Sequence, residues 1–212
     1  ITGWESTRVP QEYAKHLRKA RAVLTWGKWT ADNMRAARLG VPVHTFQLGV
    51  DPIEFSPRAG QIPKRCTFLT AGRTAHGYGR KGVDLVMLAF LYAFPSDREE
   101  VLLLVKVQPD CPLTQFRSGR IQVLTEWLAP QHMADFYRTG SAYVCASSGE
   151  GWGWHLHEAL ACGVPVIAPA FSGSMEFFKP DVNGWAVKHK LVPATQLHED
   201  AGKWAQIDFY DL

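Results

Sequence analysis

Short apolar runs alternate with amphipathic stretches over most of this chain. Each run is rich in aliphatic or β-branched residues and stops at a polar or glycine-bearing loop, which is typical of a buried strand. Most of the stretches between them repeat apolar residues with helical spacing. Strands are predicted in this way at residues 66–71, 101–107, 121–124, 141–147 and 164–170. Because strands and helices alternate, the pattern predicts an α/β fold, a Rossmann-like parallel sheet flanked by helices.

The residues before this series carry helix and strand signals of their own. An amphipathic helix precedes a short strand at 22–25, and a second helix at 30–39 leads into a strand at 43–50. Residues 51–57 contain two prolines and are typical of an irregular linker. The sequence therefore predicts helices and short strands ahead of the main series, joined to it by this linker.

The loops that follow the predicted strands combine glycines with charged and hydroxyl side chains. The carboxyl ends of parallel strands meet at one edge of a sheet, and open α/β sheets bind ligands at that edge. The pairs expected there are Gly72-Arg73, Thr125-Glu126, Glu150-Gly151 and Ser172-Gly173. The sequence therefore predicts one ligand site built from these loops.

Residues 141–178 form the most informative segment, a strand, a glycine-bearing loop, a helix and a second strand. Glu150 lies in the loop, and Glu158 follows eight positions later in the helix. Gly151 and Gly153 leave the backbone N–H groups at the helix start open to a close ligand. Carboxylates accept hydrogen bonds from hydroxyl groups, and a helix start favours negative charge. This combination predicts a polar or anionic ligand.

A second loop combines cations with glycine. Arg73 follows the strand at 66–71, Lys81 precedes a helix, and Gly77 and Gly79 lie between them. A diphosphate needs cationic donors and a flexible backbone, and arginine offers a planar fork where lysine offers a point charge. Arg73 and Lys81 are therefore candidate diphosphate ligands. Arg80 is an alternative to Lys81.

Composition narrows the classes of partner. The formal net charge is +3 without a basic block, which argues against nucleic acid. No apolar run reaches the roughly 18 residues of a membrane-spanning helix. The four cysteines lie far apart, and we expect buried free thiols rather than disulfides or a metal site. The expected location is the cytoplasm, with the cytoplasmic face of a membrane as an alternative.

No metal or other cofactor is expected. The chain contains no Asp-x-Asp pair, and His155 and His157 lie two positions apart on a helix, so their side chains point to different faces.

The stretch EGWGWHLHEALACGVPVIAP, residues 150–169, resembles the signature of the GT-B glycosyltransferases that carry a Glu-x7-Glu motif, the retaining, glycosyltransferase family 4-like group. The resemblance extends to GSAYVCASS before the signature, to SGSMEFF and NGW after it, and to AGR and KGVD much earlier. It therefore covers most of the chain and implies the C-terminal, donor-binding domain of such an enzyme.

The resemblance also implies roles for individual residues. The first glutamate of the motif, Glu150, would contact the donor sugar near the reacting carbon, and Glu158 would hold the nucleotide ribose. Backbone N–H groups of the Gly-aromatic-Gly stretch would approach the sugar or its phosphate. The donor-binding residues implied by resemblance and edge position together are Gly72, Arg73, Lys81, Thr125, Glu150, Gly151, Trp152, Gly153 and Glu158.

The domain boundary follows from the same resemblance. GVDPIEFSP, residues 49–57, is similar to the hinge between the two domains of these enzymes. Residues 1–57 are therefore expected to be the tail of an N-terminal acceptor domain, and residues 58–212 a nucleotide-sugar-binding domain truncated at its C-terminus. The remainder of the acceptor domain is expected to lie upstream of Ile1.

The predicted function is transfer of a sugar, with retention, from a UDP-, GDP- or ADP-sugar to a hydroxyl acceptor that binds through the missing domain. A non-hydrolysing nucleotide-sugar 2-epimerase is one alternative, because it shares the two-domain fold. A non-catalytic nucleotide-sugar-binding domain is another, against which Glu150 weighs. A dehydrogenase-type Rossmann domain is disfavoured, because the G-x-G-x-x-G at residues 77–82 starts six residues after the strand at 66–71 rather than directly at its end.

Overall fold

The computed structural model describes residues 1–60, 63–73, 79–96, 100–116 and 118–212, and Gly77 of the basic loop lies outside these ranges. The helices of the described chain are α1 (Gln11–Leu17), α2 (Gly27–Ala36), α3 (Val83–Ala93), α4 (Pro130–Arg138) and α5 (Trp154–Ala161). The strands are β1 (Val23–Trp26), β2 (Val43–Phe46), β3 (Cys66–Ala71), β4 (Val101–Lys106), β5 (Ile121–Leu124), β6 (Ala142–Val144), β7 (Val166–Pro169), β8 (Gly184–Val187), β9 (His189–Pro193) and β10 (Lys203–Ile207).

The main sheet has six strands in the order β5-β4-β3-β6-β7-β8, and every pairing in it is parallel. The predicted α/β fold with a parallel, helix-flanked sheet is therefore confirmed. The chain moves outward from β3 to β5, returns to β6 beside β3, and then moves outward in the other direction. The order thus reverses between β3 and β6, and such a switch point opens a crevice at the carboxyl ends of the strands.

The core has a layer on each face of this sheet. Along β3, Leu69 packs with residues of α4 and α5, whereas Phe68 packs with residues of α3. This division follows from the two-residue period of a strand, which points neighbouring side chains to opposite faces. Both faces are covered, so the strands are apolar nearly throughout, as the sequence pattern requires.

The start of the chain forms a smaller parallel sheet, β1 with β2, beside α1 and α2. One of its contacts with the rest of the molecule is made by α2, whose first turn faces the 3-10 turn Ser172–Glu176. The Glu176 carboxylate accepts hydrogen bonds from the backbone N–H groups of Lys28 and Trp29, at 2.5 and 3.1 Å. A carboxylate from another part of the chain thus caps this helix, which has no side-chain cap of its own.

The last part of the chain forms an antiparallel hairpin from β9 and β10. Residues 193–212 are mixed in character in the sequence, so no strand is predicted there from the pattern. The four cysteines are free. Cys111 and Cys162 are buried as expected, whereas Cys145 is half-buried and Cys66, which begins β3, is exposed.

Candidate functional site

Two adjoining cavities lie at the carboxyl edge of the sheet, at the switch point between β3 and β6. The Glu158 cleft, about 270 Å³, is lined by Ala71, Gly72, Arg73, Lys106, Val107, Gln108, Trp127, Leu128, Met133, His155 and Glu158. The Glu150 cavity, about 370 Å³, is lined by Gly3, Glu5, Trp26, Arg80, Lys81, Glu150, Gly151, Trp152, Gly153, Trp154 and His155. His155 lines both, so the two glutamates of the motif serve neighbouring parts of one depression.

Glu150 is the centre of an ion-pair cluster. Its Oε1 lies 2.6 Å from Lys81 Nζ, and its Oε2 lies 4.0 Å from Arg80 Nη1. Burial by itself would raise the pKa of Glu150, but the charges of Lys81 and Arg80 outweigh it and hold the pKa below its ordinary value. The carboxylate therefore stays ionised at neutral pH. Lys81, a candidate diphosphate ligand, and Arg80, its alternative, therefore both form ion pairs with this carboxylate.

Backbone contacts fix the position of Glu150. Its N–H donates to Ser172 Oγ at 2.9 Å, and its carbonyl accepts from the Gly173 N–H at 2.9 Å. A side chain on Gly173 would come within 2.0 Å of the Gly151 carbonyl oxygen, which explains the glycine. Ser172 has a φ of 66°, in the left-handed region that a serine rarely adopts. The loop after β7 is thus hydrogen-bonded to the loop after β6. The two loops had been predicted to lie along the same edge of the sheet.

The Gly-aromatic-Gly stretch, residues 151–153, also has backbone and packing roles that the resemblance did not imply. Gly153 adopts a φ of 94° just before α5 begins. The missing side chain of Gly151 leaves room for the Trp26 indole, whose Nε1 is 3.0 Å from the position a Cβ would take. Trp152 is buried, and its Nε1 donates to His157 Nδ1 at 3.1 Å. Trp152 therefore packs against His157 and Phe177 and also lines the Glu150 cavity.

Glu158 lies in α5 and accepts a hydrogen bond from the Tyr137 hydroxyl at 2.8 Å on Oε2. Burial raises the pKa of Glu158, and this hydrogen bond only partly opposes the shift. Its environment is therefore the electrostatic opposite of that of Glu150. Tyr137 is fully buried in the core, so the acceptor oxygens of Glu158 are held in one place at the cleft wall.

Three other predicted residues lie in or near the Glu158 cleft. Arg73 is exposed and lines it. Gly72 also lines it, but a Cβ there would come within 2.8 Å of Val83 Cγ2, so packing alone accounts for this glycine. Thr125 follows β5 and is half-buried, but it is not among the residues that line either cavity.

The two histidines of α5 have different partners. His157 stacks on Phe177, with ring centroids 4.5 Å apart. His155 Nδ1 lies 3.3 Å from the Tyr137 hydroxyl. Burial, with a smaller contribution from the Lys81 charge, lowers the pKa of His155 to about 4. His155 is therefore a neutral group between the two cavities at neutral pH.

Sequence reasoning missed several lining residues. Lys106 ends β4, packs 5.8 Å from the centroid of a ring of exposed Trp127, and lines the Glu158 cleft. Its signal was a single lysine in an otherwise aliphatic strand. Glu5 and Trp26 reach the Glu150 cavity from the small unit at the start of the chain. No local pattern predicts that contact, because it depends on how the two units pack.

The described residues contain no group of three or more histidine, cysteine, aspartate or glutamate side chains arranged to hold a metal ion. Among the described helices, none is both long and apolar enough to cross a membrane.

Comparison with known proteins places this geometry in a class. Residues 118–204 match the family described as Glycosyl transferases group 1, and the chain carries a domain of that family with the GT-B type of fold. This match covers the loop after β6, α5, and the strands up to β10, and so includes both Glu150 and Glu158.

Two curated relatives of this chain are also named as glycosyltransferases. D-inositol 3-phosphate glycosyltransferase of Frankia alni is 30% identical over 170 residues, which is 74% of this chain and 41% of the relative. The chain therefore spans about two fifths of the length of the curated relatives that it matches.

Solved structures share the fold at lower identity. Sucrose-phosphate synthase from Thermosynechococcus elongatus superposes with a TM-score of 0.69 at 21% identity, over 84% of this chain and 47% of that one. The pneumococcal O-GlcNAc transferase GtfA, solved with UDP and GlcNAc, gives 0.68 at 17% identity over 88% and 40%.

Proposed function

We propose that this chain binds a nucleoside diphosphate sugar and contributes to transfer of the sugar, with retention, to a hydroxyl acceptor. The observation that carries the proposal is the pairing of two carboxylates in opposite electrostatic environments at the switch point, within a group 1 glycosyl transferase domain. One glutamate is held ionised among cations, and the other is held in a less polar wall. The cations around the first glutamate suit the diphosphate, and the less polar wall around the second suits the nucleoside.

The diphosphate would lie at the Glu150 cavity. Lys81 and Arg80 provide cationic donors there, and Arg73 approaches from the adjoining cleft. The backbone N–H groups of the first turn of α5 have no partner within the helix, and its N-terminus favours negative charge. Together these groups would offset the charge that develops on the leaving diphosphate, without a metal ion.

The nucleoside would occupy the Glu158 cleft. A carboxylate can accept hydrogen bonds from both hydroxyls of a ribose, and the Tyr137 hydroxyl uses only one side of Oε2. The outer part of the cleft offers apolar surface from Trp127, Leu128 and Met133 against which a flat base can pack. UDP is the first nucleotide to test, because the pneumococcal neighbour was solved with UDP. GDP and ADP are the alternatives.

Glu150 would act at the reacting carbon. Positive charge develops on a donor sugar as its bond to the diphosphate breaks, and an ionised carboxylate beside the ring offsets it. The low pKa of Glu150 keeps the carboxylate charged for this role. The hydrogen bonds of the Glu150 backbone to Ser172 Oγ and from the Gly173 N–H would hold the residue within the small tolerance that catalysis demands.

We also propose the domain assignment made from the hinge motif. Residues 1–57 would belong to the acceptor half and residues 58–212 to the donor half. The chain spans two fifths of its curated relatives, so the remaining acceptor wall would lie outside it. The chain alone is therefore expected to bind donor but transfer sugar to no acceptor until that wall is supplied, fused or in trans.

A thermal-shift panel of UDP, GDP and ADP tests donor binding. One of them should raise the melting temperature, because a ligand that binds only the folded state stabilises it. Failure of all three would refute the proposal. With the acceptor half supplied, Glu150→Gln should abolish most of the transfer. Isomerisation of the donor sugar without any acceptor would instead favour the 2-epimerase, and binding with no reaction of either kind would favour a non-catalytic domain.

A further inference from the structure

The wall of the Glu150 cavity opposite α5 is made by the first residues of the chain. The Thr2 N–H donates to the Leu24 carbonyl at 3.0 Å, and the Thr7 N–H donates to the Lys203 carbonyl at 2.9 Å. The segment between these anchors crosses the Glu150 loop so closely that a Cβ on Gly149 would lie 2.2 Å from the Glu5 carbonyl oxygen. The segment is therefore fixed at both ends and directs Glu5 into the cavity.

Glu5 takes part in the charge cluster of this cavity. Its Oε1 lies 3.6 Å from Arg80 Nη1, which also donates to the Gly149 carbonyl at 2.9 Å and lies 4.0 Å from Glu150 Oε2. Arg80 thus stands between two carboxylates that come from opposite walls. One of them, Glu150, is assigned to the donor sugar, and the other has no role in donor binding.

The charges of the cavity are balanced before any ligand enters. Its described lining contains the carboxylates Glu5 and Glu150 and the cations Arg80 and Lys81, while His155 is neutral at pH 7 because its pKa is about 4. A bound diphosphate would engage the cations and leave an excess of negative charge. A second negatively charged molecule would then be repelled.

The cavity also carries aromatic surface from both of its walls. The Trp154 side chain is 44% exposed at the start of α5, and Trp26 lines the cavity from β1. Aromatic rings give a flat apolar surface on which the C–H face of a sugar or cyclitol ring can pack, while a carboxylate accepts its hydroxyl hydrogen bonds. The cavity volume of about 370 Å³ lies within the range typical of small-molecule sites.

We propose that Glu5 is an acceptor-contact residue and that the acceptor is an uncharged polyhydroxy ring, a sugar or cyclitol without phosphate, packed against Trp154. This inference rests on the proposed function, since it requires a diphosphate among the cations. It also assigns part of the acceptor site to this chain itself. The phosphorylated cyclitol, an acceptor of the opposite charge class, becomes an outcome of the test.

The test measures binding by saturation-transfer NMR with the chain saturated by whichever of UDP, GDP or ADP binds. Neutral probes are methyl α-D-glucopyranoside, methyl α-D-mannopyranoside, methyl α-D-galactopyranoside and myo-inositol. Anionic probes are D-inositol 3-phosphate and glucose 6-phosphate. At least one neutral probe should bind, and the anionic probes should bind more weakly than their neutral counterparts. Equal or tighter binding of an anionic probe, or no binding of any neutral probe, would overturn the inference.

Variants separate contact from mere structural support. Glu5→Gln should weaken the neutral probe by about tenfold or more and reduce the discrimination against anionic probes, because the repelling charge is gone. Trp154→Ala should weaken the neutral probe without weakening the nucleotide. Glu12→Gln, the same change at an exposed site on α1, serves as control. Unchanged affinity and selectivity in Glu5→Gln would refute the assignment.

The experiment also separates this inference from the function beneath it. If no nucleoside diphosphate binds the parent chain, the donor-site proposal fails. If a nucleotide binds but no neutral probe does, or an anionic probe binds equally or more tightly, or Glu5→Gln changes neither affinity nor selectivity, only the acceptor inference fails. Retention of nucleotide affinity by Glu5→Gln excludes unfolding as the cause of a lost probe.

Discussion

Glu150 and Glu158 are chemically identical, yet the structure shifts their pKa values in opposite directions. Both are penalised by burial, but Glu150 has Lys81 and Arg80 beside it, whereas the main compensation for Glu158 is one neutral hydroxyl. Cations near a carboxylate stabilise its charged form more than a neutral donor does. At the scale of single residues, the division of roles between the two glutamates is therefore electrostatic.

Glu158→Gln should weaken nucleoside diphosphate binding by about 10- to 100-fold, because a charge-assisted hydrogen bond contributes about 1.5–3 kcal/mol. The raised pKa of Glu158 adds a pH signature. The ionised form is the one that accepts both ribose hydroxyls, so the affinity of the parent should fall on acidification, starting at a higher pH than for an ordinary glutamate. Isothermal titration calorimetry across pH measures both effects, and a variant with parental affinity and pH profile would refute the ribose role.

Lys81→Met should weaken UDP by about tenfold or more while leaving uridine nearly unchanged, because the lost charge acts on the diphosphate. Lys81→Arg keeps the charge and should retain most of the affinity. Lys64→Met, at an exposed position, is the matched control. The comparison of UDP with uridine by calorimetry would contradict the assignment if both ligands weakened equally. A silent Lys81→Met with a damaging Arg80→Ala would move the contact by one residue.

At the scale of elements, the conformation at the start of α5 orients the N-terminus of this helix toward the Glu150 cavity. The helix begins immediately after Gly153, whose left-handed φ of 94° turns the loop so that the first turn faces the Glu150 cavity. A Cβ at Gly153 would meet Leu156 Cδ1 and Ser174 Cβ at 3.4 Å, which is ordinary contact. The glycine is therefore required by backbone conformation rather than by space.

Gly153→Ala should destabilise the fold by about 1–2 kcal/mol, the cost of a left-handed conformation for a residue with a Cβ. It should also weaken nucleotide binding, because the loop must shift to relieve this strain. Gly119→Ala is the control, since its side chain would meet open space and its φ is not left-handed. Urea unfolding of both variants gives the comparison. Equal stabilities would mean that the loop adapts freely and that Gly153 does not set the helix start.

At the scale of the whole molecule, stability should depend on pH through His155. Burial lowers its pKa from 6.5 to about 4, and Lys81, Lys106 and Glu150 act on it more weakly. The unfolded chain therefore binds the proton more readily than the folded chain between these values. The contribution to stability is present above the unfolded pKa and is lost as pH falls toward the folded pKa.

Between pH 7 and pH 5 the free energy of unfolding should fall by about 2 kcal/mol from this residue, given a pKa shift from 6.5 to about 4. Glu150, whose pKa is lowered, acts in the same direction at lower pH. Urea unfolding of the parent and of His155→Gln measures the difference. The variant should lose less stability on acidification, and identical pH profiles would show that His155 is not held neutral.

Much of the fold was predictable because its strands and helices are recorded in local patterns. The runs at 66–71, 101–107 and 164–170 are apolar because both faces of a parallel sheet are covered, and all three became strands of the main sheet. The β9–β10 hairpin was not predictable in the same way. Its strands are partly exposed and mix polar with apolar residues, so they carry no clear period, and they are defined by pairing with each other.

The sequence by itself determined the loops of the site. Alternation of strands and helices requires Gly72, Arg73, Glu150 and Ser172 to lie along one edge, and the Glu-x7-Glu spacing places Glu158 in the helix that follows, so these positions depend only on chain connectivity. Tertiary structure decided what surrounds them. The Tyr137 contact to Glu158, the placement of His155 between two cavities, and the entry of Glu5 and Trp26 into the Glu150 cavity join residues distant in sequence. Such contacts arise when elements pack, because packing is set by the shape and burial of whole surfaces rather than by any local pattern.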